Sequence, residues 1–284
     1  MDTVLVIGAN GKVGSFITPM LADEGYRVKA AVRDMEKAKE LDKDNVQLIN
    51  FDFDEPDTWE KALTGTDKLF LQVPNALEKP HEKMKPFIKE VKNSEIDHIV
   101  LMTSMGIDRA SSAPVKQVEG LVENSGLAFT MLRPNWFMQN FYTSLKSKIK
   151  DEGKLILPVG DAKVSFVDTR DIAACAIRSF ENDKHKNMAY TITGGEALDH
   201  YSVADNISKA TGKEVKYIPV LLIEYREMLR KMGFNEEFSD KICGMFDVMA
   251  KGFNEYVSPD VPMILDREPI KLEQFTQDFA DKWK

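Results

Sequence analysis

Thr3-Val4-Leu5-Val6-Ile7-Gly8-Ala9-Asn10-Gly11-Lys12-Val13-Gly14 opens the chain as a β-branched run that breaks into three glycines. An apolar strand, a glycine-rich turn and then a helix form the arrangement that takes a dinucleotide pyrophosphate. The glycines have separate tasks. Gly8 permits the tight turn off the strand, and Gly11 lets the backbone approach the phosphates. Gly14 lets the helix pack closely on the strand. The unpaired N–H groups at the helix start then face the anion. The spacing is Gly-x-x-Gly-x-x-Gly, not the Gly-x-Gly-x-x-Gly of many dehydrogenases. Its place directly after a strand is what gives the motif weight.

Outward from this loop the chain alternates strand and helix patterns. Val13, Phe16, Ile17, Met20 and Leu21 recur at helical spacing, with Pro19 predicting a kink. Strands are expected at 27–32, 46–51, 68–73, 98–103 and 128–132. Helices are expected at 35–41, after Pro56, and at 79–92 and 115–123. This order predicts an α/β fold of the Rossmann type, a doubly wound parallel sheet. Beyond Pro134 the pattern changes. A helix is expected over 136–149, short strands at 155–157, 164–167 and 188–193, and helix through 220–252. The amphipathic tail from Lys271 carries Phe275, Phe279 and Trp283 on one face. Asp168 and Asp171 read as helix-capping carboxylates, and Ser202-Val203-Ala204-Asp205 has the form of a capping box. The expected division is a dinucleotide-binding core at 1–134, with returning strands near 164–193. A smaller, mainly helical substrate lobe is then formed by 135–163 and 195–284.

Composition narrows the function. With 38 basic and 46 acidic residues the net charge is −8, which disfavours a nucleic-acid partner. No apolar stretch approaches the roughly 20 residues of a membrane span. The N-terminus lacks the basic region of a signal peptide, which points to the cytoplasm. Cys175 and Cys243 lack metal spacing and read as buried free thiols, so no metal is expected. The histidines at 81, 98, 185 and 200 are scattered, in expected surface loops or helix ends. No Gly-x-Ser-x-Gly elbow is present.

A dinucleotide site needs a residue for the adenosine ribose at the end of the second strand. That strand ends Ala31-Val32-Arg33-Asp34. Arg33 suits a 2′-phosphate, with Lys37 one turn on adding charge. Asp34 keeps a 2′-hydroxyl, and so NAD(H), possible. NADP(H) is the preferred cofactor. Asp52 and Phe53, ending the third strand, are placed to accept from the adenine amino group and to lie against its face.

Together with these residues, the segment Ser125 to Phe137, containing Leu-Arg-Pro-Asn-Trp-Phe, resembles the NmrA-like atypical short-chain dehydrogenases/reductases. It is most similar to those members that reduce quinones and triphenylmethane dyes. The resemblance implies that Asn10, Gly11, Lys12 and Val13 lie along the pyrophosphate and that Arg33 binds the 2′-phosphate. It implies that Val73 and Pro74 flank the ribose and nicotinamide, with Thr103, Ser104 and Met105 beside the nicotinamide. Pro134, Asn135, Trp136 and Phe137 would wall its end, with Met105, Trp136 and Phe137 toward the substrate. The wider superfamily uses a Tyr-x-x-x-Lys acid pair. Aligned through Glu119 and Gly126, the tyrosine slot here holds Ser111 and the lysine slot Val115, with Lys116 one residue off. The serine slot falls at Ser104 or Met105. Ser104 and Lys116 are therefore the candidate catalytic residues.

Without that pair, reactions that depend on a strong general acid are disfavoured. The first reading is an NADPH-dependent reductase passing hydride to a quinone-like or dye-like aromatic acceptor. The second is a non-catalytic NADP(H)-binding redox sensor acting through a protein partner. A sugar-nucleotide epimerase ranks last, because it needs the tyrosine.

Overall fold

The structure, a computed structural model, describes residues 1–284 apart from 75, 76, 78, 111 and 112. In its first half the elements are β1 (Thr3–Ile7), α1 (Gly14–Asp23), β2 (Arg27–Val32), β3 (Val46–Asn50), α2 (Trp59–Leu63), β4 (Lys68–Gln72), α3 (Pro80–Lys92), β5 (His98–Met102), α4 (Pro114–Glu123) and β6 (Ala128–Pro134). There follow α5 (Lys146–Glu152), β7 (Lys154–Leu157), α6 (Thr169–Glu181), β8 (Met188–Ile192), α7 (His200–Thr211) and β9 (Lys216–Pro219). The chain closes with α8 (Leu222–Lys231), α9 (Glu236–Ala250), α10 (Asp260–Leu265) and α11 (Leu272–Asp278). Two compact units result.

The first unit comprises Met1–Pro134, Thr169–Ile192 and Asp260–Arg267. Among the described residues it holds a seven-stranded sheet in the order β3-β2-β1-β4-β5-β6-β8, with every pairing parallel. Helices flank the sheet, α1 packing on α6 and α3 on α4. A parallel sheet covered on both faces needs strands that are apolar throughout, and β1 and β5 are buried at every position. This is the Rossmann-type arrangement the strand–helix alternation implies.

The second unit comprises Asn135–Asp168, Thr193–Pro259 and Glu268–Lys284. It is mainly helical, built from α5, α7, α8, α9 and α11 around one parallel strand pair, β7 with β9. Its core gathers Phe141, Leu155, Leu157, Phe166, Tyr217, Phe246, Phe275 and Trp283. The Trp283 indole N–H donates to Phe141 O at 2.9 Å, anchoring the tail. Among the described residues no helix is long and apolar enough to cross a membrane.

Several expectations are corrected. Residues 136–149 form no continuous helix. A 3₁₀ turn at Met138–Tyr142 precedes α5. Residues 164–167 make only isolated bridges, Val164 with Leu198 and Val167 with Phe137, and group with the second unit. Residues 260–267 group with the first unit, because Asp260 Oδ2 accepts from Thr191 N at 2.7 Å and Arg267 pairs with Asp171 at 2.7 Å. The short helix expected at 35–41 is a 3₁₀ helix over Glu36–Leu41, and strand β9 was not anticipated. The helical run 220–252 is two helices broken at Gly233, whose φ is +90°, with the Asn235 side chain capping α9. Helix α7 is capped by Asp199, which accepts from Ser202 N, so Ser202 lies inside the first turn. Outside these corrections, Asp168 and Asp171 stand at the start of α6 and are fully buried, Asp168 accepting from Gln139 Nε2 at 2.8 Å. Helix α1 runs through Pro19.

The histidines also differ from expectation. His98, His185 and His200 are buried, not surface groups. His98 Nε2 meets Thr130 Oγ1 at 3.0 Å, and His185 Nδ1 meets the Tyr190 hydroxyl at 2.8 Å. His200 lies among the rings of Phe141, Phe166 and Tyr217. Burial, aided by Lys68 and Lys186, holds the His98 pKa down to about 4, and burial does the same to His200. Both therefore stay neutral and serve packing.

Candidate cofactor site

The first unit builds its site where the strand order reverses. The chain lays β2 and β3 on one side of β1, then returns to β4 on the other. Ligands of open parallel sheets bind in the crevice at such a switch point, beyond the carboxyl ends of the strands. The glycine turn stands there. Gly8 has a φ of +76°, and the N–H groups of Gly8 and Ala9 both donate to Ala31 O at 3.1 Å, tying the turn to β2. Gly11 N donates to Gly8 O at 2.9 Å. A Cβ at Gly14 would lie 2.2 Å from Gly8 O and 2.8 Å from Ala9 Cα. Close approach of α1 to the turn therefore requires glycine there. The α1 N-cap, Val13, supplies no side-chain acceptor. The amides of Asn10, Val13 and Gly14 have no backbone acceptor among the described residues. Burial lowers the Lys12 pKa, a penalty that a nearby anion would offset.

Arg33 is exposed at the end of β2. Its neighbour Asp34 is paired with Lys37 at 2.9 Å and also accepts from Lys37 N, and these bonds lower its pKa. Asp34 is thus occupied and Arg33 is presented to solvent. At the end of β3, Asp52 Oδ1 accepts from Asp54 N at 2.9 Å. The Phe53 ring belongs to the core cluster, edge-on to Phe51 at 5.0 Å and Phe87 at 5.5 Å. It is not the open ring face an adenine would lie on. Val73 and Pro74 follow β4, half-buried, before a stretch that runs outside the described residues.

After β5, Thr103 N donates to Leu132 O and Met105 N to Pro134 O, each at 2.9 Å. Ser104 is exposed and Met105 half-buried. Beside them lies a residue that pattern reading missed. Glu119 on α4 is fully buried, and its carboxylate accepts from Thr103 Oγ1, Lys116 Nζ and Arg133 Nη2 at 2.8 Å, and from Arg133 Nε at 2.9 Å. Burial alone would raise the Glu119 pKa. The bonds from Arg133, Lys116 and Thr103 outweigh it and hold the pKa below the usual range. The bidentate Arg133 fork is the strongest of these bonds. Lys116 is therefore engaged with Glu119. Ser111 lies outside the described residues.

Gln72, the last residue of β4, was also missed. A Cβ on Gly8 would fall 1.8 Å from Gln72 Nε2, and one on Gly11 would fall 3.5 Å from it. A glutamine ending an apolar strand carries no motif, so only the fold reveals this neighbour.

In the second unit, the Asn135 Nδ2 group donates to Ser165 Oγ and to Asn254 O, both at 2.8 Å. Its Oδ1 accepts from Asn254 Nδ2 at 2.7 Å. That amide thus locks the 254 segment. Trp136 stacks on Phe246, centroids 5.4 Å apart, and Phe137 bridges to Val167. Among the described residues no cluster could hold a metal ion.

The comparisons accord with this architecture. The NmrA-like family matches over residues 1–278. An NAD(P)H azoreductase from Xenophilus azovorans is 32% identical, over 98% of this chain and 98% of its own. The Citrobacter sp. triphenylmethane reductase complexed with NADP(H) superposes with a TM-score of 0.82, at 20% identity over 99% of this chain and 100% of its own. An Escherichia coli NADPH-dependent quinone oxidoreductase complexed with NADPH gives 0.84, at 21% identity over 97% and 99% of the two chains. The chain belongs to the NmrA-like family, with a Rossmann-type core.

Proposed function

We propose that this protein is an NAD(P)H-dependent oxidoreductase, with NADPH preferred, that passes hydride to a quinone-like or dye-like aromatic acceptor. The observation that carries the reading is the glycine turn at the switch point, where the amides of Asn10, Val13 and Gly14 have no backbone acceptor among the described residues, with Arg33 exposed at the neighbouring strand end. The azoreductase relative supports the same class of acceptor.

Asn10, Gly11, Lys12, Val13 and Gly14 would lie along the diphosphate, with the N–H groups of Asn10, Val13 and Gly14 as its donors and Gly11 letting it approach the backbone. Arg33 would take the 2′-phosphate, while Lys37 holds Asp34 aside. Thr103, Ser104 and Met105, braced by Glu119, would lie along the nicotinamide. The bound nicotinamide supplies the hydride. That hydride would itself carry both electrons and the first proton, and the second proton of a reduced quinone or azo bond would come from water. Lys116, tied to Glu119, does not serve as the acid. Catalysis is then mostly positioning of donor and acceptor.

The test is NADPH oxidation against quinones, azo dyes and triphenylmethane dyes, with simple ketones as controls. Turnover of the aromatic acceptors alone supports the reading. Tight NADPH binding with no turnover of any acceptor would replace it with the redox-sensor reading.

A further inference from the structure

We propose that the Gln72 carboxamide is a ligand of the dinucleotide's diphosphate, and that Gly8 is glycine in part to admit it. The inference rests on the cofactor reading above and adds a residue to it.

The geometry carries it. Gln72 stands at the carboxyl end of β4, the strand across the switch point from the glycine turn. The register of β1 and β4, with Val6 opposite Phe70, sets Gln72 level with Gly8. Its side chain then reaches over the turn. Nε2 occupies the space of a Gly8 side chain, 1.8 Å from where a Cβ would be. The same nitrogen lies 3.5 Å from the Cβ position of Gly11. The amide group therefore lies beside the first two glycines, of which Gly11 is the one whose backbone a diphosphate approaches. A carboxamide offers two N–H donors and carries no charge. It complements the backbone amides without needing a counter-ion when the site is empty.

A second consequence follows for Gly8. Its positive φ already favours glycine. A methyl group at Gly8 would also have to displace the Gln72 amide, the flexible end of that side chain, from its place over the turn.

The test is calorimetric titration of NADPH and of adenosine 2′-monophosphate into wild type, Gln72→Met and Gln72→Glu at pH 8, with thermal melting of each. The monophosphate carries the 2′-phosphate but no diphosphate. Gln72→Met is expected to weaken NADPH binding about tenfold or more, the loss of a hydrogen bond to a charged group. Gln72→Glu keeps the shape but sets a carboxylate against the diphosphate. It is expected to weaken NADPH binding further, by about a hundredfold, with part of the loss relieved by salt. The melting temperatures and the monophosphate affinity are expected to stay within about twofold and a few degrees of wild type. NADPH binding by Gln72→Glu equal to wild type would overturn the proposal and leave the cofactor reading standing. Equal losses for NADPH and the monophosphate would also overturn it, showing a general collapse of the turn. A wild type that binds no NADPH would overturn the cofactor reading itself.

Discussion

The Thr103 hydroxyl donates to Glu119 Oε1 at 2.8 Å, across sixteen positions of sequence. The bond ties the loop after β5, where the expected nicotinamide contacts lie, to the middle of α4. Glu119 has no water to fall back on, being fully buried. Its charge persists because Arg133 and Lys116 flank it. Removing that charge takes the carboxylate from the Arg133 fork and leaves Lys116 only Glu123, at 3.7 Å. Glu119→Gln is expected to destabilise the fold by about 3 kcal/mol, as for other broken buried pairs, read as a shift in urea midpoint. An unchanged midpoint would mean the network is not load-sharing. The depressed Glu119 pKa sets the pH sign. Its stabilisation is present above the ordinary carboxylate range and is lost as pH falls through the folded value.

Lys116 has its ammonium 2.8 Å from Glu119 and 3.7 Å from Glu123. An ammonium so engaged is a brace for Glu119. Lys116→Met is expected to lower the rate of acceptor reduction only a few-fold, well short of the ~10²–10⁴ that a general acid contributes. Steady-state rates with a quinone measure this, and a thousandfold loss would make Lys116 the acid.

At Gly14 a Cβ would meet backbone atoms of Gly8 and Ala9, which cannot swing away. Gly14→Ala is therefore expected to lose both stability and NADPH binding. Gly11 is less confined, with Gly8 O 3.0 Å from its Cβ position. Gly11→Val is expected to abolish NADPH binding at a smaller cost in melting temperature. Normal NADPH affinity in Gly11→Val would reduce the loop to an ordinary turn.

These glycines show what was legible in advance. A strand, a turn of small residues and a helix follow one another locally, so the motif, the parallel sheet and its strands could be read directly. Glu119 could not, because nothing in a helix pattern marks one of its carboxylates as meeting a threonine from the loop after β5 and an arginine from β6. Gln72 and the Asn135–Asn254 lock were hidden for the same reason, each partner being brought close only by topology. His98 looked exposed because a polar residue at a strand's start usually is. The hydroxyl of Thr130 gives it a buried partner. The broken helix after Phe137 was misread because its apolar spacing serves a 3₁₀ turn equally well.

Arg33 is exposed at the end of β2, the expected ribose position, and Asp34 is held by Lys37. Arg33→Ala is expected to weaken NADPH binding about ten- to a hundredfold, since a charge-assisted hydrogen bond contributes roughly 1.5–3 kcal/mol. NADH binding is expected to change little. Titration of both cofactors decides it, and a native preference for NADH would shift the role to Asp34.

The buried histidines give the protein an acid-side limit. His98 and His200 have folded pKa values near 4, against 6.5 for the free group, and burial depresses His185 as well. Between those values the unfolded chain takes up protons that the folded one refuses. Stability is thus full above about pH 6.5 and falls as pH drops toward 4, by up to about 1.4 kcal/mol per pH unit for each residue. Urea midpoints from pH 8 to 5 measure the slope. His200→Phe, which keeps the aromatic packing, is expected to make it shallower by one histidine's share. An identical slope in that variant would show that His200 does not titrate on unfolding.

Stopped-flow reduction of a quinone or azo dye with NADPH and with NADPH deuterated at the transferred position tests the central claim most directly. The account predicts oxidation of NADPH coupled to acceptor reduction, a slower rate with deuterium, and no comparable rate with simple ketones. NADPH binding without oxidation by any aromatic acceptor, or ketone reduction at an equal rate, would contradict it.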